Sequence, residues 1–156
     1  LRWICYADLV IPEQQPAMSN HIDPERQQFD TFKELPRDKP IMMLNLLRFR
    51  EKAAYENGRG ATGAEAYAAY VEESGSIFRR VGGEIIWRGK PELMVIGPKD
   101  KHWDMIFVAQ YPTANAFLKM VTDPEYRIAV KHRQAAVADS RLIRTTDTTD
   151  GTGFSS

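Results

Sequence analysis

The stretch "IMMLNLLRF", roughly residues 41–49, does more than any other to limit what this chain can fold into. A strand with one wet face alternates apolar and polar side chains, but this one is apolar on both parities. It reads as a strand covered on both faces and interrupted only at Asn45 and Arg48. Those two lie on opposite parities, so they face opposite sides of any sheet built around the strand.

The neighbouring segments supply one of the two covers. Upstream, Asp23 is placed as an N-cap with Pro24 at the first helical position, and Phe29, Phe32 and Leu35 follow at helical spacing. "RDKP" breaks the chain before the strand. A charged loop, "REKAAYENGRGA", follows it with an Asn-Gly turn signal. Thr62 and Glu65 then have capping-box spacing, and Tyr67, Tyr70, Val71, Ser74, Ile77, Phe78 and Val81 share one helical face. Gly82-Gly83 ends that helix, because glycine tolerates a left-handed cap.

"EIIWRGKPELMVIG" is read as extended, with a bend or bulge at Gly89 to Pro91. "PKDK" turns the chain, and "HWDMIFVAQY" returns as a strand that Pro112 stops. "TANAFLKMVT" is a short helix. The stretch "TDPEYRIAVKHRQAAVADSRLI" then restarts the helix at Thr122 or Asp123, followed by Pro124 and Glu125.

The order is strand, helix, strand, strand, helix, strand, with an added N-terminal helix and a split second helix. That is the ferredoxin-like split βαβ pattern, β-α-β-β-α-β, an α+β fold. Its antiparallel sheet carries helices on one face only. The other face would be an open apolar surface, which is adhesive in a monomer. A second copy packing sheet on sheet solves this, so a homodimer about a two-fold axis is expected.

One domain is expected over 21–146. Residues 1–20 read as an extension, either non-native with Met18 as the natural start or a genuine arm, and the polar 147–156 reads as a flexible tail. Lys+Arg and Asp+Glu are 21 each, so the basic excess of a nucleic-acid binder is missing. No apolar run approaches the roughly 18 to 20 residues that span a bilayer. The one cysteine, Cys5, cannot form an internal disulfide, which points to a reducing cytoplasm. His21, His102 and His132 are far apart with no ligand-spaced partners, so no metal and no cofactor is signalled. Only a haem held by a lone His132 escapes that test, since one axial ligand suffices.

The motifs "MLNLLRF", "AYAAYVEESGSIFRRVGGEIIWRG", "WDMIFVAQYPTANAFLKMVTDPEY" and "HRQAAVADSRLI" resemble the dimeric α+β barrel superfamily. Within it they resemble an uncharacterised bacterial family, domain of unknown function family 1330, over roughly residues 40–145. The resemblance implies homodimers whose sheets face each other and enclose pockets. Relatives in the superfamily include cofactor-free monooxygenases, muconolactone isomerase-like enzymes and haem-using enzymes. The family has no agreed reaction, so any chemistry has to come from the residues themselves.

Asn45 carries donors and acceptors that suit a bound carbonyl or carboxylate, and either it or Arg48 is expected to point into the barrel cavity. Trp87 is a pocket wall or a dimer-interface aromatic, with Arg88 beside it. Tyr67 and Tyr70 fill the core or reach a pocket, and Asp104 is a strand-end partner. At about 100° per residue, Arg133 falls in the middle of the apolar arc that starts at Tyr126 and runs through Val130 and Val137, while His132 sits at its border beside Asp139. A guanidinium there needs a partner, with Asp139 or Asp104 at hand, or an anionic ligand.

The chain is therefore expected to be a homodimer that binds a small organic acid or aromatic. If it is catalytic, proton transfer or cofactor-free oxygenation is the chemistry. Arg133 and Asn45 would hold the ligand with Arg48, Trp87, Tyr67 and Tyr70 around it, and His132 or Tyr126 would handle the proton. A non-catalytic binding or stress-related module and a haem-binding barrel are the rivals.

Overall fold

The computed structural model describes residues 20–148. The readings of Met18, of the extension before residue 20 and of the tail beyond 148 lie outside the described residues. The elements run α1 (Arg26–Glu34), β1 (Ile41–Phe49), α2 (Gly63–Arg80), β2 (Glu84–Gly89), β3 (Met105–Tyr111), α3 (Ala114–Thr122), α4 (Pro124–Ala136) and β4 (Val137–Thr145). The strands form one antiparallel sheet in the order β2-β3-β1-β4. This is the split βαβ arrangement, with β1 and β3 in the centre.

The alternation along β1 decides what each face does. Ile41, Met43 and Leu47 point to the helices and are between 0 and 3% exposed. They pack in two clusters, one with Ile77, Phe117 and Met120, the other with Ala66, Ala135 and Val137. Met42, Leu44 and Leu46 point the other way and are only half-buried. Val108 and Ile143 stand opposite Leu44, and Trp87 stands opposite Val108, so they share that second face. Trp87 is 54% exposed, and Ile143 is similarly open. Among the described residues no helix packs on this face.

Helix α2 begins as the sequence indicates. Thr62 Oγ1 accepts from the Glu65 N–H at 3.1 Å, and Glu65 Oε2 accepts from the Thr62 N–H at 2.8 Å. Its first residue is glycine because three backbones meet there. Gly63 N donates to the Arg50 carbonyl at 3.1 Å, and Arg50 N donates to the Ala136 carbonyl at 2.8 Å. A Cβ on Gly63 would lie 2.7 Å from the Ala136 carbonyl oxygen and closer still to that of Arg50. At its other end Gly82 has a φ of +85°, the left-handed conformation that stops the helix. Asp123 separates α3 from α4 and accepts from the Glu125 N–H at 2.8 Å, with Pro124 starting the new helix.

Three boundaries differ from expectation. Asp23 does not cap α1, which starts after Glu25 without a side-chain cap; its carboxylate accepts from Gln134 Nε2 at 3.1 Å instead. Helix α4 stops at Ala136, so Val137 and Asp139 belong to β4, where the ladder with β1 takes over the backbone groups. The extended reading of 84–97 holds only to Gly89, because Pro91 has no N–H for a ladder. The register shift in β2 falls between Ile85 and Trp87, earlier than the expected Gly89 to Pro91. Leu93, Val95 and Ile96 are consequently exposed. No described helix is long and apolar enough to cross a membrane.

Candidate functional site

Between the buried Met43 and Leu47, on the same helix-facing side of β1, Asn45 remains half-buried. Its cross-strand partners are Phe107 on β3 and Leu142 on β4, and Leu142 is 40% exposed. The helix layer therefore leaves a gap over this row of three residues. Asn45 Nδ2 donates to the Met43 carbonyl at 2.9 Å. Its second N–H and its Oδ1 make no hydrogen bond among the described residues, which leaves one donor and one acceptor for a guest.

Tyrosines belong to the packing on either side of Asn45. Tyr70 and Phe107 pack against both core clusters that flank Asn45, one containing Met43 and Tyr126, the other Leu47 and Tyr67. The Tyr70 and Tyr126 hydroxyls are 3.0 Å apart, and the rings of Tyr67 and Tyr70 are 5.3 Å apart. Burial pushes the Tyr67 phenol up, Tyr70 adds to this, and the charges of Arg133 and Arg88 oppose it. The Tyr126 phenol is raised in the same way, by burial first and then by Tyr70. Both stay protonated at neutral pH. Tyr126 thus presents a neutral hydroxyl that hydrogen-bonds with Tyr70.

Arg133 takes the structural alternative, with partners other than those expected. Its Nη1 donates to the Ile22 carbonyl at 2.5 Å and its Nη2 to Ser140 Oγ at 3.2 Å, while Asp23 lies 3.9 Å away. The side chain is 13% exposed. Asp139 is engaged elsewhere, accepting from the His21 N–H at 3.0 Å, the Ser140 N–H at 2.9 Å and Arg141 Nη1 at 2.8 Å. Burial pushes the Asp139 carboxyl up, but these donors outweigh it and hold the group below the usual carboxylate range. Asp104 has the expected strand-end role, accepting from the Phe49 N–H at 2.7 Å.

Arg48 and Trp87 cannot share a pocket with Asn45 inside one protomer. Arg48 has the opposite parity on β1, and the register places Trp87 on that same uncovered side. Arg88, next to Trp87, faces the helices and belongs with Tyr67 instead. It lines an open groove of about 550 Å³ between α2 and β2, floored by Val71, Phe78 and Ile85.

His132 is not the bare boundary residue that helical angles suggest. Its Nδ1 lies 2.6 Å from the Tyr55 hydroxyl and its Nε2 lies 3.1 Å from Glu73 Oε1. Both ring nitrogens are thus engaged by partners within the protein. Tyr55 carries no sequence signal of its own, since it sits in the charged loop after β1 where no periodicity applies. The one clue was the Asn-Gly turn, in which the Gly58 N–H reaches the Tyr55 carbonyl at 3.1 Å. Among the described residues no group of three His, Cys, Asp or Glu side chains is placed to hold a metal ion.

The family model described as Domain of unknown function (DUF1330) matches residues 60–146. The crystal structure of a methylated protein superposes with a TM-score of 0.83 at 55% identity, covering 86% of this chain and 99% of that one. A second crystal structure of that protein, a protein of unknown function from Rhodopseudomonas palustris, gives a TM-score of 0.81 at 54% identity, covering 84% of this chain and 99% of that one. No curated protein matches the chain.

Proposed function

The chain belongs to the family described as Domain of unknown function (DUF1330), and from that footing we propose a homodimeric protein that binds a small organic molecule. The two jobs fall on opposite faces of the sheet. The uncovered face, with Leu44, Leu46, Val108, Ile143 and Trp87, joins two copies. Burying that apolar surface against itself removes it from water at about 25 cal/mol per Å², and a two-fold axis makes the contact self-complementary. Arg48 and Trp87 are interface residues in this arrangement.

The helix-facing side receives the ligand. The observation that carries this reading is Asn45, half-buried along β1 between the covered Met43 and Leu47, with amide groups left unbonded among the described residues. A polar group at the floor of an aromatic-lined gap is how small-molecule sites fix orientation. Asn45 supplies a donor and an acceptor, the tyrosines supply neutral phenols, and among the described residues the row of Asn45, Phe107 and Leu142 carries no charge. A carbonyl-bearing or phenolic compound matches that chemistry, with Arg88 at the rim for a carboxylate.

A thermal-shift screen of small carbonyl, carboxylated and phenolic compounds tests the binding site. Hits are expected to raise the melting temperature of the wild type and to lose that effect in Asn45→Leu. Hits that act equally on both proteins would place the ligand elsewhere.

A further inference from the structure

Tyr55, His132 and Glu73 come from three elements and line up in the order nucleophile, base, orienting acid. Tyr55 is on the loop between β1 and α2, His132 on α4 and Glu73 on α2. We propose that this chain of side chains is an acyl-accepting site, in which the Tyr55 hydroxyl attacks small thioesters or aryl and enol esters and His132 takes its proton.

The direction of the hydrogen bonds follows from what each group can do. A carboxylate only accepts, so Glu73 holds the imidazole proton on Nε2 at 3.1 Å. The lone pair then lies on Nδ1, facing the Tyr55 hydroxyl at 2.6 Å. This is the geometry by which a weak oxygen nucleophile is activated by an adjacent base that a third group orients. The loop is held in place for it: the Ala54 N–H donates to the Ala135 carbonyl at 2.9 Å, and the Ala53 N–H to that of Ala61 at 2.9 Å. His132 is 14% exposed and Tyr55 is half-buried, so the reacting pair is partly withdrawn from water. The Arg59 guanidinium lies 5.3 Å from the centre of the Tyr55 ring, putting a cation beside charge that develops during attack.

The leaving group sets the substrate class. A phenol has a pKa of about 10 and a thiol about 8.5, so a thiol leaves an acyl carbon more readily than tyrosine does. Aryl and enol esters with acidic leaving groups qualify for the same reason, and alkyl esters and amides do not. In the first step the Tyr55 oxygen bonds to the acyl carbon and its proton passes to His132 Nδ1. The carbon–sulfur or carbon–oxygen bond breaks, and the leaving group departs with the electron pair and collects that proton. In the second step water attacks the acyl carbon, gives a proton to His132, and releases the carboxylic acid as the Tyr55 oxygen regains its proton.

The test is p-nitrophenyl acetate with the full chain, following nitrophenolate release and locating the acetyl group by peptide mass spectrometry. Acetylation of Tyr55 in the wild type is expected, and Tyr55→Phe, which keeps the ring in place, removes the label. His132→Asn slows acetylation by about 100-fold, the usual contribution of a general base. Glu73→Gln keeps an acceptor for Nε2 but no charge, and slows it by a smaller factor. Acetyl found only on lysines would overturn the proposal, as would an unchanged rate in His132→Asn. If His132→Asn fails to fold by circular dichroism, an unchanged rate in the half-exposed Glu73→Gln overturns it equally.

Discussion

The Arg133 guanidinium reaches across 111 residues of chain to the carbonyl oxygen of Ile22, 2.5 Å from Nη1. With its second contact to Ser140 Oγ, it ties the end of α4 to β4 and to the segment that leads into α1. Among the described residues, the centre of the apolar arc is thus filled by a charge paired with Ile22, Ser140 and Asp23.

Removing that guanidinium leaves a carbonyl and a hydroxyl without their donor. Arg133→Met is expected to cost about 1.5 to 3 kcal/mol, the range for a hydrogen bond to a charged group, seen as a lower urea midpoint. Ligand affinity, measured well below that midpoint, is expected to change little. A loss of ligand binding at unchanged stability would return Arg133 to the site.

The buried tyrosines predict an alkaline transition. Burial raises the phenols of Tyr67, Tyr111 and Tyr126 above the ordinary value of 10.0. The folded state then holds these protons more tightly than the unfolded one. The stability this confers is full below about pH 10 and falls as the pH rises past it. Phenolate absorbance from these three is expected to appear only together with loss of the circular dichroism signal. Ionisation of all six tyrosines near pH 10 in a protein still folded would contradict it.

The uncovered face predicts assembly. Sedimentation equilibrium of the wild type is expected to give twice the 17.8 kDa of one chain. Leu44→Glu, which sets a carboxylate amid apolar partners without touching the helix-side core, is expected to give a single-chain mass. A wild type that sediments as one chain would remove the interface and the roles of Arg48 and Trp87 with it.

What the sequence reveals and what it conceals follow from the range of the forces involved. The Thr62–Glu65 capping box, the Gly82 stop and the Asp123-Pro124 restart are local, and each forms as written. The two-sided apolar pattern of β1 also reads directly, because the pleat alone fixes which residues face which side. The end of α4 does not. Ala135, Ala136 and Val137 serve a helix or a strand equally well, and pairing with Phe49 decides for the strand. Asp23 has the right chemistry for a cap, yet Gln134 on a distant helix claims it. Asn45 was visible as a polar break, but its face depended on which parity the helices cover. Tyr55 was invisible until the fold brought His132 to it.

The helix-side gap is tested most directly at its floor. With a hit from the compound screen, the side-chain amide resonances of Asn45 can be followed by NMR through a titration. They are expected to shift and saturate with the same midpoint as binding measured by calorimetry. Saturable heat of binding with the Asn45 side-chain amide signals unmoved would contradict a site at that residue.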